Sequence, residues 1–129
     1  MRDTVYSYIQ NLNLGTFSLT NEMPYDDNGV ALYIKNPKRI YVGRAESSSA
    51  PIVTALNGLH ISNTTTTVSV YFSTDAKQVP SNYDTLVGSL AAAKDVAAQG
   101  VHTRTATVAT NYENDLLVTE VELTFTKLT

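Results

Sequence analysis

The chain has 129 residues, with 12 acidic and 9 basic side chains and a formal net charge of -3 at pH 7. This length fits one domain, 1–129, and the acidic balance argues against a nucleic-acid-binding module, which normally carries a basic face. Because cysteine is absent, disulfides, thiolate zinc sites and cysteine nucleophiles are excluded. The N-terminal segment has no apolar run typical of a signal peptide, and no run reaches the roughly 18 residues of a membrane span. We therefore expect a soluble protein that is made in the cytoplasm and contacts no membrane.

The first twenty residues predict a helix followed by a short strand. Apolar side chains recur at helical spacing at Val5, Tyr8, Ile9 and Leu12. Asp3 is placed to cap the start of this helix, and Gly15 is placed to end it. The run Thr16–Thr20 alternates apolar and hydroxyl side chains, which is typical of a strand, and a loop follows it.

The next part of the chain predicts a β-hairpin and then an unusual apolar segment. Val30–Lys35 and Arg39–Ala45 are rich in strand-favouring residues, and the Asn-Pro dipeptide between them favours a turn. The segment Ser47–Ser62 that follows carries more apolar residues than a plain loop, and contiguous exposed apolar surface tends to mark an interaction site. The candidate interface residues in this segment are Ile52, Val53, Leu56, Leu59 and Ile61. An alternative stays open, in which the segment folds back on its own domain as a short helix or strand.

A strand that runs directly into a helix follows. One face of the predicted strand carries Thr66, Val68, Val70 and Phe72. A helix is predicted for Ser81–Gln99, where Ser81 and Asp84 have the spacing of a capping box. Its apolar stripe consists of Tyr83, Leu86, Val87, Leu90 and Ala93 or Ala97. We expect this stripe to pack on the apolar face of the strand.

The end of the chain predicts a second hairpin. The runs "VHTRTATVAT" and "LLVTEVELTFTKL" are separated by the turn-like "NYEND", and the second run places Leu117, Val121, Leu123 and Phe125 on one face. The order of elements predicts the α+β class, because both helices need a sheet face on which to bury their apolar stripes. We expect a single domain with a largely antiparallel sheet of four to six strands and two main helices packed on one face.

Few residues invite a catalytic or metal-binding interpretation. His60 and His102 could act as general bases, but neither belongs to a motif with a partner, so ordinary strand or surface histidines are favoured. The run "DDNG" that begins at Asp26 resembles the start of a calcium loop, but Val30 stands where an oxygen ligand is needed, which favours a plain turn. We predict no cofactor and no metal.

Carboxylates and tyrosines are the other candidates. Glu120 and Glu122 share one strand face, where a solvated surface explains them as well as acid–base chemistry does. Tyr33, Tyr41 and Tyr71 fall on predicted strands and could stack on a ligand, although packing in the core or an interface is favoured. The six glycines are separated, and no phosphate loop, dinucleotide motif or serine-nucleophile elbow occurs. We therefore expect that the protein is not an enzyme.

The order of elements, rather than a motif, resembles a known family. A helix near the N-terminus, the hairpin "VALYIKNPKRIYVGRAE", the strand and helix of "TTTTVSVYFSTDAKQVPSNYDTLVGSL" and the ending "NDLLVTEVELTFTKL" together resemble the tail-terminator proteins of long-tailed bacteriophages of the lambda type. The likeness covers nearly the whole chain, and its best segment is "VYFSTDAKQVPS". The segment "SSSAPIVTALNGLHIS" does not match the family pattern.

The resemblance implies a virion structural protein of the tail or neck. Such a subunit closes into a ring, a hexamer in this family, that caps the tail tube, stops its polymerisation and joins it to the head connector. Its implied partners are other copies of itself, the tail tube protein and the head–tail connector protein. The family has no catalytic residues to transfer. DNA could pass through the ring, but no sequence-specific binding of nucleic acid is implied.

Other functions stay open beside this one. In the same class, the chain could be a head-to-tail connector or another tail-completion subunit. In a different class, it could be a monomeric module whose strand-face tyrosines bind a sugar or a peptide. In the structural class, the apolar residues of Ser47–Ser62 would dock on a neighbouring subunit or on an adjoining ring.

Overall fold

A sheet with its two main helices on one face forms the body of the computed structural model, which describes residues 1–54, 60–95 and 101–128. The helices are α1 Arg2–Gln10, α2 Leu32–Lys35 and α3 Tyr83–Ala91, with a 3₁₀ turn at Ala92–Asp95. The strands are β1 Ser18–Thr20, β2 Arg39–Val42, β3 Glu46–Thr54, β4 His60–Asp75, β5 Val101–Glu113 and β6 Leu116–Leu128. The order across the sheet is β1-β2-β4-β6-β5, and β3 also pairs with β4. The pair β1–β2 is parallel and the other pairs are antiparallel, so the predicted α+β class is confirmed.

The core lies between the sheet and the helices α1 and α3. In the pairing of β4 with β6, Val68 is opposite Leu123 and Val70 is opposite Val121, and all four side chains are fully buried. The helices contribute Val5 and Ile9 from α1 and Leu86 and Leu90 from α3 to the same apolar cluster. The two predicted apolar strand faces therefore lie side by side and face the predicted helix.

Two long hairpins extend the sheet. Strand β4 has 16 residues and is therefore about 50 Å long. The β5–β6 hairpin closes through Asn114 and Asp115, whose φ angles of 50° and 62° give both turn residues the left-handed conformation of a type I′ turn. Asn and Asp adopt this conformation more readily than most residues, so the predicted hairpin turn at "NYEND" is confirmed.

The capping predictions for the two main helices are wrong in detail. Helix α1 has Met1 as its N-cap residue, so Asp3 lies within the first turn instead of capping it. The N-cap residue of α3 is Asn82, and no side-chain capping bond forms there. The Asn82 side chain instead donates a hydrogen bond to the Leu14 carbonyl oxygen at 3.2 Å, because the loop after α1 packs against this end of α3. Helix α3 becomes a 3₁₀ turn after Ala91, and residues 96–99 of the predicted helix lie outside the described residues.

The hairpin predicted for Val30–Lys35 and Arg39–Ala45 is also wrong. Only Arg39–Val42 forms a strand, and the residues Leu32–Lys35 form the single helical turn α2. The physical reason is that both edges of β2 are paired, with β1 in parallel on one side and with β4 on the other. No edge of β2 is left on which Val30–Lys35 could pair as a strand. The stretch around α2 packs instead through Tyr33 against β4.

Candidate interaction surfaces

The predicted apolar interface lies in the hairpin of β3 and β4. Ile52 and Val53 belong to β3 and Ile61 belongs to β4, where Val53 and Ile61 are partners in the register. A register shift between Pro51 and Val53 places Ile52 at an irregularity of the strand. Leu56 and Leu59 lie outside the described residues. The segment thus brings three of the five candidates together on paired strands, and its role as an interface stays a prediction.

The sheet face away from α1 and α3 is polar and acidic, and we call it the open face. Side chains alternate along each strand, so the residues between the buried positions of β4 and β6 point to this face. The charged residues among the described open-face positions of β4, β5 and β6 are Asp75, Glu113, Glu120 and Glu122. The same face carries rows of hydroxyl side chains, such as Thr105 opposite Thr124 and Thr124 opposite Thr67. The predicted common face of Glu120 and Glu122 is confirmed.

A tyrosine cluster covers one end of the open face. The rings of Tyr33 and Tyr71 are stacked with their centroids 4.8 Å apart. Tyr25 meets both rings edge-on, at 5.7 Å from Tyr33 and 6.1 Å from Tyr71. The hydroxyl groups of Tyr25 and Tyr33 share a hydrogen bond of 3.0 Å. This cluster places α2 and the loop before it against the sheet face opposite the two main helices.

The tyrosines differ in exposure, which limits what each can contact. Tyr33 and Tyr41 are buried, as core packing requires, and Tyr41 accepts a hydrogen bond at 3.1 Å from the Asn36 side chain. The prediction that Tyr33 lies on a strand is wrong, because it belongs to α2. Tyr25 is 46% exposed, and it was not among the tyrosines that the sequence singled out because it lies in a loop without a periodic pattern.

Burial and negative charge both act on the cluster. Burial, and then the hydrogen bond with Tyr25, raise the pKa of the Tyr33 phenol well above its ordinary value. Burial likewise raises the pKa of Tyr71, and the neighbouring Glu120 carboxylate adds to this effect through its charge and a hydrogen bond. Both phenols are therefore neutral at pH 7 and present hydroxyl groups and aromatic faces beside a carboxylate.

Two clefts flank the tyrosine cluster. One, of about 310 Å³, is lined by Tyr25 and Tyr71 together with Arg44, Glu46 and the hydroxyl residues Thr67 and Ser69. The other, of about 180 Å³, lies on the β5 side of the cluster and includes Glu113 and Glu120 in its walls. Sequence reasoning missed both clefts, because each joins residues that are far apart in the chain and are brought together by the sheet register and α2.

The residues considered for catalysis and metal binding lie in a loop turn and on two strands of the sheet. Asp26 accepts hydrogen bonds from the backbone N–H groups of Asn28 and Val30, both at 2.9 Å, and Gly29 has a φ of 77°. This is a turn held by its own aspartate, so the predicted plain turn is confirmed. His60 and His102 belong to β4 and β5, on strands that do not pair with each other. Within residues 1–54, 60–95 and 101–128, no group of three or more histidine, aspartate or glutamate side chains is arranged to hold a metal ion.

In the part of the chain that the structure describes, no helix combines the length and apolar character needed to span a bilayer.

No family model matches the sequence, and no curated protein matches it. The fold is similar to that of a chain in a solved structure described as the virion of a native gene transfer agent (GTA) particle, with a TM-score of 0.50 and 13% sequence identity. The similarity covers 100% of this chain and 95% of that chain. At this identity, the likeness shows the fold alone, shared over the whole of this chain and 95% of the other.

Proposed function

We propose that this chain is a structural subunit of a phage-type virion, and more closely a tail terminator. The observation that carries the proposal is the shared fold with a chain of a gene transfer agent virion, which leaves almost none of either chain unmatched. The resemblance in the order of elements to the tail-terminator proteins of lambda-type phages supports the finer assignment. In this proposal the chain has no catalytic role and functions by presenting binding surfaces to other subunits.

The mechanism would be ring closure followed by capping. Heterologous contacts between identical subunits close into a ring when the rotation from one subunit to the next divides a full turn, and about 60° gives a hexamer. The ring would bind the last layer of the tail tube protein, stop further polymerisation and present its other side to the head–tail connector. The protein would then reside in the tail or neck of the virion, after synthesis in the host cytoplasm, with DNA passing through the ring.

The sheet supplies surfaces suited to such contacts. Strand β5 has 13 residues and lies at one end of the strand order, next to β6. Its exposed side chains include Val108 at 43% and Tyr112 at 72%, and an edge of this length is a ready template for contact with another chain. The β3–β4 hairpin adds the apolar candidates Ile52 and Val53 on β3, which pairs with β4 on the side away from β6, and Ile61 on β4 itself. Both features favour assembly over a monomeric role.

The proposal is tested by electron microscopy of the purified protein alone and mixed with tail tubes. Rings bound to tube ends are the expected result, and a protein that stays monomeric and does not bind tubes would refute the proposal.

The variant Ile52→Asp with Leu56→Asp tests the apolar segment, because charges cannot be buried in an interface unpaired without a cost of several kcal/mol. If the segment docks on a neighbour, this variant keeps its melting temperature but forms no rings. A large fall in the melting temperature of the monomer would assign the segment to the subunit's own core.

Two other functions remain as alternatives. A head-to-tail connector or another tail-completion subunit would share the fold and the ring but would bind the head side, so its rings would not stop tube growth. A monomeric binding module is favoured by the cleft of about 310 Å³ that Tyr25 and Tyr71 help to line, since aromatic walls with a few polar groups suit small ligands. A monomer whose melting temperature rises with a sugar or a peptide would support this function in place of the terminator.

A further inference from the structure

The smaller cleft on the open face has the chemistry of a socket for a basic side chain. Its lining includes Glu113 and Glu120, which lie four positions apart along the β5–β6 ladder, together with Tyr33, Tyr71, Asn111 and Val118. We call this set of six residues the acidic socket. Carboxylates bind a guanidinium or ammonium group through charge-assisted hydrogen bonds, and aromatic faces attract the same cations. The volume of about 180 Å³ suits one long side chain better than a folded partner element.

The surroundings of the socket strengthen its preference for a cation. Glu122 lies two residues from Glu120 on β6 and is exposed on the same face, about 7 Å away along the strand. No lysine or arginine occupies a described open-face position of β4, β5 or β6. The charges that these three strands place around the socket are therefore all negative, and Arg44 lines the other cleft beside Tyr71.

The same strands carry a basic cluster on their opposite face. Arg104 of β5 is opposite Phe125 of β6, and Lys127 follows two residues later. The two side chains therefore share the face of the buried Phe125, with their Cα atoms about 7 to 8 Å apart. Arg104 also donates to the backbone carbonyl oxygen of Asp95 at 3.5 Å, which places it at the 3₁₀ turn that contains Lys94 and the acidic Asp95. We call Lys94, Arg104 and Lys127 the basic cluster.

We propose that the acidic socket of one copy receives a basic side chain from the basic cluster of a second copy. The argument is charge complementarity, since the open face of the β5–β6 hairpin carries Glu113, Glu120 and Glu122, and its other face carries the exposed Arg104 and Lys127 beside the buried core. This inference deepens the proposed function, because it rests on self-assembly and names the two surfaces that meet. Exposed arginine and lysine side chains such as Arg104 and Lys127 can reach a partner without unfolding any element.

The positions of the two surfaces define the kind of contact. In a two-fold contact, the socket of each copy would have to meet the basic cluster of the other copy within one interface. The socket and the cluster lie on opposite faces of the β5–β6 hairpin, so one interface does not contain both. A contact between a socket and a cluster is heterologous, because each copy offers one surface to each of two neighbours. Such a contact repeats from copy to copy and generates a ring or a stack, as the proposed function requires.

Charge reversal in two complementary variants tests this docking. The face variant carries Glu113→Lys with Glu122→Lys, both at exposed positions, and retains Glu120 because it lies opposite Tyr71 and acts on that phenol. The cluster variant carries Arg104→Glu with Lys127→Glu, also at exposed positions. Each variant alone places like charges across the contact, so we expect association to weaken by about tenfold or more. In a 1:1 mixture the two variants can alternate. The basic face of one then meets the acidic cluster of the other, and the unchanged socket meets the unchanged cluster, so every contact pairs opposite charges and association should recover.

The measurement is sedimentation and chemical cross-linking of the full chain at low and high salt. The matched control, Glu22→Lys with Asp27→Lys, makes the same charge change at exposed loop residues that belong to neither the acidic socket nor the basic cluster and should associate like the unchanged protein. Loss of association in each variant with recovery in the mixture supports the docking. Association that survives either reversal overturns it, and so does a mixture that stays monomeric. If the mixture recovers association but the chain is absent from tails, the docking stands and the terminator function fails.

Discussion

The substitution Leu90→Ala tests the packing of α3 on the sheet. Leu90 is fully buried in the apolar cluster that joins α3 to β4 and β6. The change removes three carbon atoms, and their transfer from the interior to water costs about 0.8 kcal/mol each, or about 2.4 kcal/mol in total. The sheet side of the site is held by the continuous pairing of β4 with β6, so it can collapse only in part, and the remaining cavity adds to the loss. We expect a loss of about 3 to 4 kcal/mol in the free energy of unfolding.

The assay is urea unfolding of the monomeric chain, followed by far-ultraviolet circular dichroism. Thr85→Ala is the matched control, because Thr85 is exposed on the same helix, and it should change the free energy of unfolding by no more than about 0.5 kcal/mol. A similarly small loss in Leu90→Ala would place this side chain on the surface and refute the arrangement of helix and sheet. An unchanged m value in both variants would show that the comparison concerns stability and not the unfolded state.

Three further predictions concern the tyrosine cluster and two backbone positions. Because folding raises the pKa of Tyr33 above its ordinary 10.0, its contribution to stability is complete below pH 10 and is lost as the pH rises further. Urea unfolding across this pH range should show a decline in the free energy of unfolding, and that decline should be smaller in Tyr33→Phe. Gly15→Ala should destabilise by about 1 to 2 kcal/mol, since φ is 60° and the new Cβ would lie 2.6 Å from the Asn82 side-chain nitrogen; an unchanged melting temperature would contradict this. Asp115→Gly should stabilise by about 0.5 to 1 kcal/mol, because glycine favours the positive φ of 62° at this turn position, and a lower melting temperature would count against the type I′ turn.

The elements predicted correctly are those whose periodic pattern coincides with burial. The alternation that ends in Phe125 and the helical spacing of Leu86 and Leu90 each match a face that is buried in the structure. The "NYEND" turn was also predictable, because Asn114 and Asp115 are residue types that adopt positive φ angles. Local sequence suffices in these places because local preference and tertiary packing agree.

The failures occur where tertiary pairing overrides a local preference. The run Val30–Lys35 is rich in strand-favouring residues, but β1 occupies the edge of β2 and leaves Tyr33 to stack on Tyr71. The capping box at Ser81 does not form, because Asn82 instead binds the Leu14 carbonyl across the core boundary. No local pattern could reveal these contacts, since each joins residues that are distant in sequence.

The candidate site was predictable only in part for the same reason. The sequence indicated a shared face for Glu120 and Glu122, but it could not place Glu113 in the wall of the same cleft as Glu120, because that depends on the register of β5 against β6. The apolar segment was found from composition alone, and the structure adds that Val53 and Ile61 are paired. The surface on which this segment would dock belongs to another chain, so the fold of one chain does not reveal it.

The central claim is that this chain ends a tail tube, and a cryo-electron microscopy reconstruction of isolated tails from the particles that contain it tests this most directly. Our account predicts one ring of this chain, and only one, at the head-proximal end of the tube. Density for the chain in repeated layers along the tube would contradict the account and would make it a tube subunit.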